Sequence, residues 1–420
     1  MISFFISAFK IVFLLGFLIG IHETGHFLVA KLCKVRVNEF AIGFGPTIWK
    51  KQGKETKYAL RLIPLGGFVS MEGEEEHSDK EGSFSNASTS KRIAIVAAGA
   101  IVNIIFAIIV YFLLSTTTIS NTSNIVSDVQ EEYAAESSGI EVGDKILKIN
   151  NKKIITSTDI NEILNNSNGE EVFVLIERNN EKLELKLTPT EVKYKSTGIY
   201  LKSLESSSTE IVAVSPGSVA ENNGLQAGDE IIKINDTEVK DNPEKVIELL
   251  QNTETNNVKI LFKRAGKELE VEFVPEELSN YYLGINLEIP ENTLANRLYY
   301  AWYNTNDFVF STFDNVKNLF IGKVSTAQLT GPVGISEVVA ETNGFADFVY
   351  ILAVISISLG ITNLMPFPPL DGGKIVFLLI EGIRRKKIKQ ETELKIQMLG
   401  FAVLIGLSIL ITYNDIIRIL

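Results

Sequence analysis

Four long apolar runs restrict this chain to folds that cross a membrane. The run Ile2–Ile21 contains one charged residue, Lys10, and three further runs contain none: Ile93–Leu114, Phe348–Leu370 and Ile396–Tyr413. Each is close to the roughly 20 residues that a helix needs to span the hydrocarbon core of a bilayer. Four such runs favour membrane helices over the alternative, which is buried core helices of a large soluble protein.

The first run also has the length of a secretory signal peptide. No small-residue cleavage site closes it, and the stretch GIHETGHFLVAKL (20–32) would fall at the junction. We therefore expect this run to be a retained helix.

The loops between the runs predict the orientation of the chain. Residues 31–61 contain eight Lys or Arg side chains against two Glu, and residues 384–395 contain six against two. Because basic loops stay in the cytoplasm, residues 115 to about 345 and both termini are expected outside. The formal net charge is −11 although these loops are basic, so the acidic surplus lies elsewhere, and nucleic acid is not an expected partner.

The middle of the chain contains a repeat. The stretches SSGIEVGDKILKINNKKI (137–154) and NNGLQAGDEIIKINDTEV (222–239) align without a gap, and TGIYL (197–201) matches LGINL (283–287). Alternating apolar and polar residues follow each copy and predict a β-hairpin. We expect two copies of one β-rich domain. The single cysteine, Cys33, rules out an intrachain disulfide.

The repeated phrase, in which Gly-Asp precedes an IxxIN strand, resembles the PDZ domain, in particular the bacterial type with rearranged strand order. A PDZ-type fold offers a sheet edge and a groove for an extended peptide. Peptide ligands of these domains are therefore expected. The alternative is a pair of rigid spacers without a ligand.

The histidines at the end of the first run predict a metal site. His22 and His26 are four residues apart and so lie on one face of a helix, in reach of one zinc ion. Glu23 lies beside them, where it can act as a general base toward water. A catalytic zinc ion has three protein ligands and one open position. The alternative is two histidines that only pack between helices.

The third ligand is less evident from the residues. His77, Glu72 and Glu74 lie in an acidic segment that is typical of a flexible loop. Asp371 precedes the two glycines that end NLMPFPPLDGG (363–373), where prolines break the third apolar run and free backbone polar groups. Broken backbone at membrane depth is tolerated where protein shields it or where it lines a wet cavity. On composition alone, Asp371 fits a ligand and a turn residue equally well.

Taken together, HETGH and NLMPFPPLDGG resemble the site-2 protease family of intramembrane zinc metalloproteases, over essentially the whole chain. GFGP (43–46) and PLGGFV (64–69) resemble the cytoplasmic membrane-associated β-loop of that family, and LTGPVGI (329–335) resembles its segment before the third span. One departure is Ala100 in GAIVN (99–103), where the family usually has proline.

The resemblance implies roles for individual residues. His22, His26 and Asp371 would hold one Zn²⁺ per chain, and Glu23 would be the catalytic base. Asn363 and Pro368 would contribute to substrate binding near the metal.

The expected fold is a multi-pass α-helical membrane protein with four transmembrane helices, two extracytoplasmic β-rich PDZ-like domains and a cytoplasmic membrane-associated β-loop. In chain order the expected segments are the first transmembrane helix with HExxH (1–32), the β-loop and linker (33–92), the second transmembrane helix (93–115), PDZ-like domain 1 (120–203), PDZ-like domain 2 (204–290), an amphipathic helix and linker (291–345), the third transmembrane helix (346–383), and the basic loop with the fourth transmembrane helix (384–420).

The implied function is hydrolysis of peptide bonds within or near transmembrane segments, in regulated intramembrane proteolysis. Expected partners are the lipid bilayer and single-pass membrane proteins, such as an anti-sigma factor or a remnant signal peptide. The expected location is a bacterial cell membrane, with the active site near its cytoplasmic face. Two other functions compete: a membrane-anchored PDZ pair that only binds exported proteins, and a metal transporter, for which the chain lacks an inverted repeat of spans.

Overall fold

The structure is a computed structural model that describes residues 2–74, 78–117, 121–201, 208–215, 217–251, 257–264, 266–321, 331–342 and 344–419. The chain divides into two compact units. The membrane unit comprises Met1–Thr118 with Arg297–Ile417, and the repeat unit comprises Ile119–Asn296 with Arg418–Leu420.

The membrane unit is built from long helices and one β-sheet. Its helices are α1 (Ile2–Leu32), α2 (Thr89–Ser115), α7 (Leu294–Phe320), α8 (Pro332–Glu341), α9 (Phe345–Asn363), α10 (Asp371–Arg384) and α11 (Gln390–Ile419). Among the described residues, four helical stretches are long and apolar enough to cross a membrane: Ile6–Leu32, Thr89–Ser115, Phe345–Asn363 and Glu391–Tyr413. They coincide with the four apolar runs of the sequence.

Within the third expected span, 346–383, the structure has two helices. Helix α9 ends at Asn363, and α10 begins at Asp371. The intervening residues contain Pro366, Pro368 and Pro369. Proline has no backbone N–H to donate within a helix, so the helix stops and restarts here. The interruption puts Asp371 in the first turn of a new helix.

Charged side chains near the ends of the apolar helices have partners. Lys10 Nζ donates hydrogen bonds to the carbonyl and hydroxyl oxygens of Thr342, at 2.7 and 3.0 Å. The carboxylate of Asp415 accepts from the backbone N–H groups of Gly331 at 3.2 Å and Gly334 at 2.9 Å, where α8 begins. These bonds offset the cost of placing a charge among apolar helices.

Helix α7 is the amphipathic segment that the sequence predicts within 291–345. Its apolar side chains Phe308, Val309 and Val316 pack against a cluster that includes Ala107 of α2 and Ala353 of α9. One face of α7 therefore lies on the membrane helices.

Between α1 and α2 the chain forms a sheet from two long bent strands, β1 (Val37–Gln52) and β2 (Lys57–Met71). The last residues of β2 pair with the first residues of β1, with Ala41 opposite Phe68 and Val37 opposite Met71. The first residues of β2 lie between the two ends of β1, with Ala59 opposite both Ala41 and Lys50. Among the described residues, 67–71 pair on one side only, so they form an edge of the sheet.

The repeat unit contains two copies of one β-rich domain. The first copy has β3 (Val126–Val129), α3 (Ala134–Ser138), β4 (Lys145–Ile149), β5 (Lys152–Lys153), α4 (Ser157–Asn166), β6 (Val172–Arg178), β7 (Glu181–Leu187), β8 (Thr190–Ser196) and β9 (Ile199–Leu201). The second has β10 (Ile211–Val214), α5 (Val219–Asn222), β11 (Glu230–Ile234), β12 (Thr237–Glu238), α6 (Pro243–Gln251), β13 (Val258–Arg264), β14 (Lys267–Phe273), β15 (Glu276–Tyr282) and β16 (Ile285–Leu287).

The sheets of the two copies correspond strand by strand. Their orders are β5-β4-β6-β7 and β12-β11-β13-β14. Ile146 and Ile149 on β4 are fully buried, as are Ile231 and Ile234 on β11. The two isoleucines of each strand are three residues apart, and the pairing register shifts between them, so both side chains reach the core of their own copy.

The last strand of each copy joins the other copy. Strand β9 pairs with β10, and β16 pairs with β3, in both cases antiparallel. Strands β8 and β15 also pair with each other. The side chain of Leu283 accordingly lies in the core of the first copy, whereas Ile199 packs against the core of the second.

The contiguous domains expected at 120–203 and 204–290 therefore do not match the way in which the sheets are built. Each range contributes its final strand to the other domain. The segments 197–201 and 283–287 have equivalent patterns, so the sequence alone does not assign either strand to one copy.

Candidate metal centre

His22 and His26 lie one turn apart on α1, and their imidazoles meet. The two Nε2 atoms are 3.1 Å apart, and the ring planes are nearly perpendicular, at 83°. This follows from their spacing, because residues four apart on a helix share a face. Two imidazole nitrogens therefore point at one position beside α1.

Asp371 completes the cluster from the far end of the chain. Its Oδ2 atom lies 3.2 Å from Nε2 of His22 and 3.5 Å from Nε2 of His26. One potential ligand atom from each of the three residues lies within 4.8 Å of the others. Among the described residues Oδ2 is buried and has no hydrogen bond of good geometry.

These three residues fit a zinc ion. Two imidazole nitrogens and one carboxylate oxygen are a zinc donor set, and three protein ligands leave a fourth position open. The buried Oδ2 atom of Asp371 would gain a partner from the cation, as a buried polar atom requires.

The ring of His26 is held by the backbone of α2. Its Nδ1 atom lies 2.8 Å from the carbonyl oxygen of Ile95. A carbonyl oxygen can only accept, so Nδ1 carries the proton and the Nε2 lone pair faces the cluster. A hydrogen bond of this kind orients a ligating histidine.

Two glycines allow α1 and α2 to approach closely at this point. A Cβ atom on Gly99 would lie 2.4 Å from Nε2 of His26 and 2.8 Å from Nε2 of His22. A Cβ atom on Gly25 would lie 2.5 Å from the carbonyl oxygen of Ala98. Sequence reasoning did not identify either position as part of the site. The signal that could have revealed Gly99 is the run of small residues AAGA (97–100) in an apolar helix.

Glu23 lies at a cavity of about 180 Å³ that adjoins the cluster. Gly67 of the edge strand is so near that a Cβ atom there would lie 3.0 Å from Cγ of Glu23. The cavity is lined by Glu23, His26, Phe68, Val69, Met71, Glu74, Val96, Asp371 and Lys374. Hence the base candidate, two of the three ligand candidates and the sheet edge share one space.

The other candidate ligands have different partners. Glu72 accepts hydrogen bonds from Asn38 at 3.2 Å and Ser78 at 2.7 Å. The hydrogen bond from Ser78 contributes most to lowering the pKa of Glu72 to about 2, and those from Lys80 and Asn38 add to it. Glu74 pairs with Lys374 at 2.6 Å. His77 lies outside the described residues.

The two residues expected to bind substrate are near the break in the third span. Asn363 is the last residue of α9, and Pro368 lies between α9 and α10. A Cβ atom on Gly400 of α11 would lie 2.0 Å from the carbonyl oxygen of Pro368, so α11 packs closely on this segment. Neither Asn363 nor Pro368 lines the cavity that contains Glu23. Their roles stay predictions.

Comparison with known proteins gives a consistent result along the chain. The model of the family described as Peptidase family M50 matches residues 10–407. The Regulator of sigma-E protease RseP of Escherichia coli strain K12 is 29% identical over 451 residues, covering all of both chains. The Regulator of sigma E protease of Haemophilus influenzae is 28% identical, covering 99% of this chain and 100% of that protein. A Vibrio cholerae protein whose name includes "zinc metalloprotease" is 30% identical over 438 residues, covering 96% of this chain and 97% of that protein.

Among solved structures, the PDZ domain of HtrA3 bound to a phage-derived ligand matches 22% of this chain and 93% of its own length. It is 19% identical, with a TM-score of 0.19. Similarity at that score does not by itself establish a common fold. The family match, which covers nearly the whole chain, does establish the relationship: this chain belongs to peptidase family M50.

Proposed function

We propose that the chain hydrolyses peptide bonds within or near transmembrane segments at the cluster of His22, His26 and Asp371. It is an intramembrane zinc metalloprotease of regulated intramembrane proteolysis, as the family and the names of its relatives support. The observation that carries the assignment of the site is the convergence of three ligand atoms within 4.8 Å, with Glu23 at the adjoining cavity.

In this proposal His22, His26 and Asp371 hold one zinc ion per chain. When bound, zinc supplies Lewis acidity to a water molecule and to the scissile carbonyl. The carboxylate of Glu23 takes the proton of the attacking water and returns it to the leaving amine. The apolar side chains of Val96, Val69 and Met71 form part of the cavity lining beside Glu23.

The edge strand would present the substrate. A helical substrate has its carbonyls tied up in hydrogen bonds, so it must unwind before attack. Residues 67–71 have a free edge beside Glu23, and an unwound segment can pair with such an edge through main-chain hydrogen bonds. Asn363 and Pro368, near the break between α9 and α10, would contribute to binding the substrate backbone near the metal.

We place the active site near the cytoplasmic face of a bacterial cell membrane. The basic loops 31–61 and 384–395 support this orientation, because such loops stay in the cytoplasm. Both termini and the repeat unit are then extracytoplasmic. The proposed substrates are single-pass membrane proteins, such as an anti-sigma factor.

A groove in the first repeat domain supports peptide binding outside the membrane. It encloses about 500 Å³ between α4 and β16, with Ile160 and Leu164 on one side and Leu283 to Leu287 on the other. Among the described residues, β16 pairs only with β3, so its second edge is free for an extended peptide.

The test is cleavage of a transmembrane substrate by the purified chain and by Glu23→Gln. The parent should cleave, and Glu23→Gln should lose about 100- to 10,000-fold in rate while it retains zinc. Equal rates would assign the cleavage to a contaminant. A zinc-loaded parent that cleaves no membrane substrate would leave peptide binding in the groove as the function.

A further inference from the structure

The side chain of Asn103 is a buried polar group without an evident role. It is 0% exposed on α2, and among the described residues neither Oδ1 nor Nδ2 has a hydrogen-bond partner. Its backbone carbonyl is occupied, since it accepts from Ser356 Oγ at 2.9 Å. Buried polar side chains nearly always have a partner, so both atoms of the carboxamide require an explanation.

A second group of the same kind belongs to the metal centre. Nδ1 of His22 is also buried and has no partner in the described part of the chain. The corresponding atom of His26 is held by Ile95. A histidine that binds a metal through one nitrogen normally donates a hydrogen bond from the other.

The packing of α1 against α2 puts Asn103 one helical turn beyond the residue that His22 contacts. His26 meets Ile95 and Gly99, and His22 meets Gly99. Phe17, earlier on α1, packs on Phe106, later on α2, so the two helices run in opposite directions. Asn103 follows Gly99 by one turn on the same face, about 6 Å along α2.

The side chains of the two residues also lean toward each other. In a helix the Cα–Cβ bonds tilt toward the N-terminus. The ring of His22 therefore leans away from His26, toward the level of Asn103, and Asn103 leans toward Gly99. Nε2 of His22 is directed at His26 and Asp371, so Nδ1 is on the side of the ring that faces away from His26.

We propose that Asn103 is the positioning residue of His22. One buried water molecule bridges the two side chains. It accepts a hydrogen bond from the Nδ1–H group of His22 and donates one to Oδ1 of Asn103. The bond fixes the tautomer in which Nε2 presents its lone pair to the metal, as Ile95 does for His26. The inference rests on the proposed function, because it takes His22 to be a zinc ligand.

The direct test is the zinc affinity of the detergent-solubilised full chain, measured by competition with a chromophoric chelator. Asn103→Leu keeps the size of the side chain and removes the acceptor, so zinc should bind about 10- to 100-fold more weakly. Asn103→Asp retains an acceptor and should bind zinc closer to the parent. Ser356→Ala is the matched control, because it removes a hydrogen bond to the same residue but leaves the carboxamide in place.

A measurement on the unaltered chain covers the case in which Asn103→Leu does not fold. The chain has three histidines, so ¹⁵N-histidine labelling gives three ring systems. In the zinc-loaded parent, Nδ1 of His22 should carry a proton that is hydrogen-bonded and slow to exchange. An Nδ1 without a proton, or with a freely exchanging one, overturns the inference.

The outcomes separate this inference from the proposed function. If the parent does not bind zinc, both the proposed function and the role of Asn103 are contradicted. If the parent and Asn103→Leu bind zinc with equal affinity, the role of Asn103 is contradicted and the proposed function stands.

Discussion

A methyl group on Gly99 of α2 would lie 2.4 Å from Nε2 of His26. Real Cβ atoms do not approach so closely, so any larger residue must displace the imidazole or separate α1 from α2. Metal sites tolerate displacements of only a few tenths of an ångström. Gly99 therefore affects the geometry of the candidate metal centre because it has no side chain.

The first prediction concerns this contact. Gly99→Ala should weaken zinc binding by at least about tenfold, as loss of ligand orientation does elsewhere. Zinc content after dialysis against a chelator measures the effect. Gly406→Ala on α11 is the control, because a Cβ atom there would meet nothing within 4 Å among the described residues. Equal zinc content in both variants would mean that the helices separate without cost.

The second prediction concerns the third ligand. Asp371→Asn replaces a carboxylate by a neutral amide, and a carboxylate oxygen is the better ligand for zinc. Zinc should be lost at concentrations at which the parent is saturated. Asp415→Asn tests a second buried aspartate, whose partners are Gly331 and Gly334, and should retain zinc. Full zinc content in Asp371→Asn would show that Asp371 is not a zinc ligand and would favour the alternative of a turn residue.

The third prediction concerns the ion pair between Lys374 Nζ and Glu74 Oε1, 2.6 Å apart. The pair joins the segment after the edge strand to α10 and lines the cavity of about 180 Å³. That volume is below the roughly 300 Å³ of the smallest usual ligand sites, so a peptide requires the cavity to widen. Lys374→Met should speed the release of zinc to a chelator, because one connection across the cavity is gone.

The charge exchange Lys374→Glu with Glu74→Lys should restore slow release. Lys387→Met removes a different bond between the same regions, to the carbonyl oxygen of Ser85, and serves as the control. Rates that are identical in all four proteins would show that the ion pair does not restrict access.

The fourth prediction concerns acid stability of the first repeat domain. Burial alone would raise the pKa of Asp144, but hydrogen bonds from Arg178 and from the backbone N–H of Glu141 lower that pKa below its ordinary value. A carboxylate with a lowered pKa stabilises the fold above its unfolded pKa of about 3.9 and loses that contribution as pH falls through the folded pKa. Arg178→Met should raise the folded pKa, so the domain should open at higher pH.

Pepsin cleavage within residues 145–187 of the full chain, over a series from pH 2 to pH 5, would follow this opening. Arg264 binds Asp229 in the second domain in the same way, with distances of 2.6 and 2.7 Å. Arg264→Met removes this contact in the second domain only, so it serves as the control and should leave cleavage within 145–187 unchanged.

The fifth prediction concerns the exchanged strands. Leu283 is 2% exposed and belongs to the core of the first domain, although it lies in the second copy of the repeat. Leu283→Ala should destabilise the first domain by about 2–5 kcal/mol, the usual effect of a large-to-small core change. Hydrogen exchange should accelerate in 145–187. If hydrogen exchange accelerated only in 230–273, the assignment of Leu283 to the core of the first domain would be contradicted.

The sequence predicts those parts of the molecule that depend on local periodicity. The four apolar helices, the helix at 294–320 and the sharing of one face by His22 and His26 all follow from the spacing of residues on a helix. The break before Asp371 follows from the prolines.

The remaining parts depend on contacts between distant residues. Asp371 lies far from the histidines in sequence, and nothing local distinguishes it from a turn residue. The approach at Gly99 depends on the register of α1 against α2. The partners of β9 and β16 cannot be read from a repeat, because both copies offer equivalent positions to either strand.

The pairing of β3 with β16 has a consequence for biosynthesis. Asp128 and Asn286, which are hydrogen-bonded to each other, are 158 residues apart. Chains emerge from the ribosome N-terminus first, and their domains usually fold in that order. Here the first domain must wait for its last strand until the second domain has been translated, whereas β9 reaches the second domain in advance. The domain that is made first is completed last.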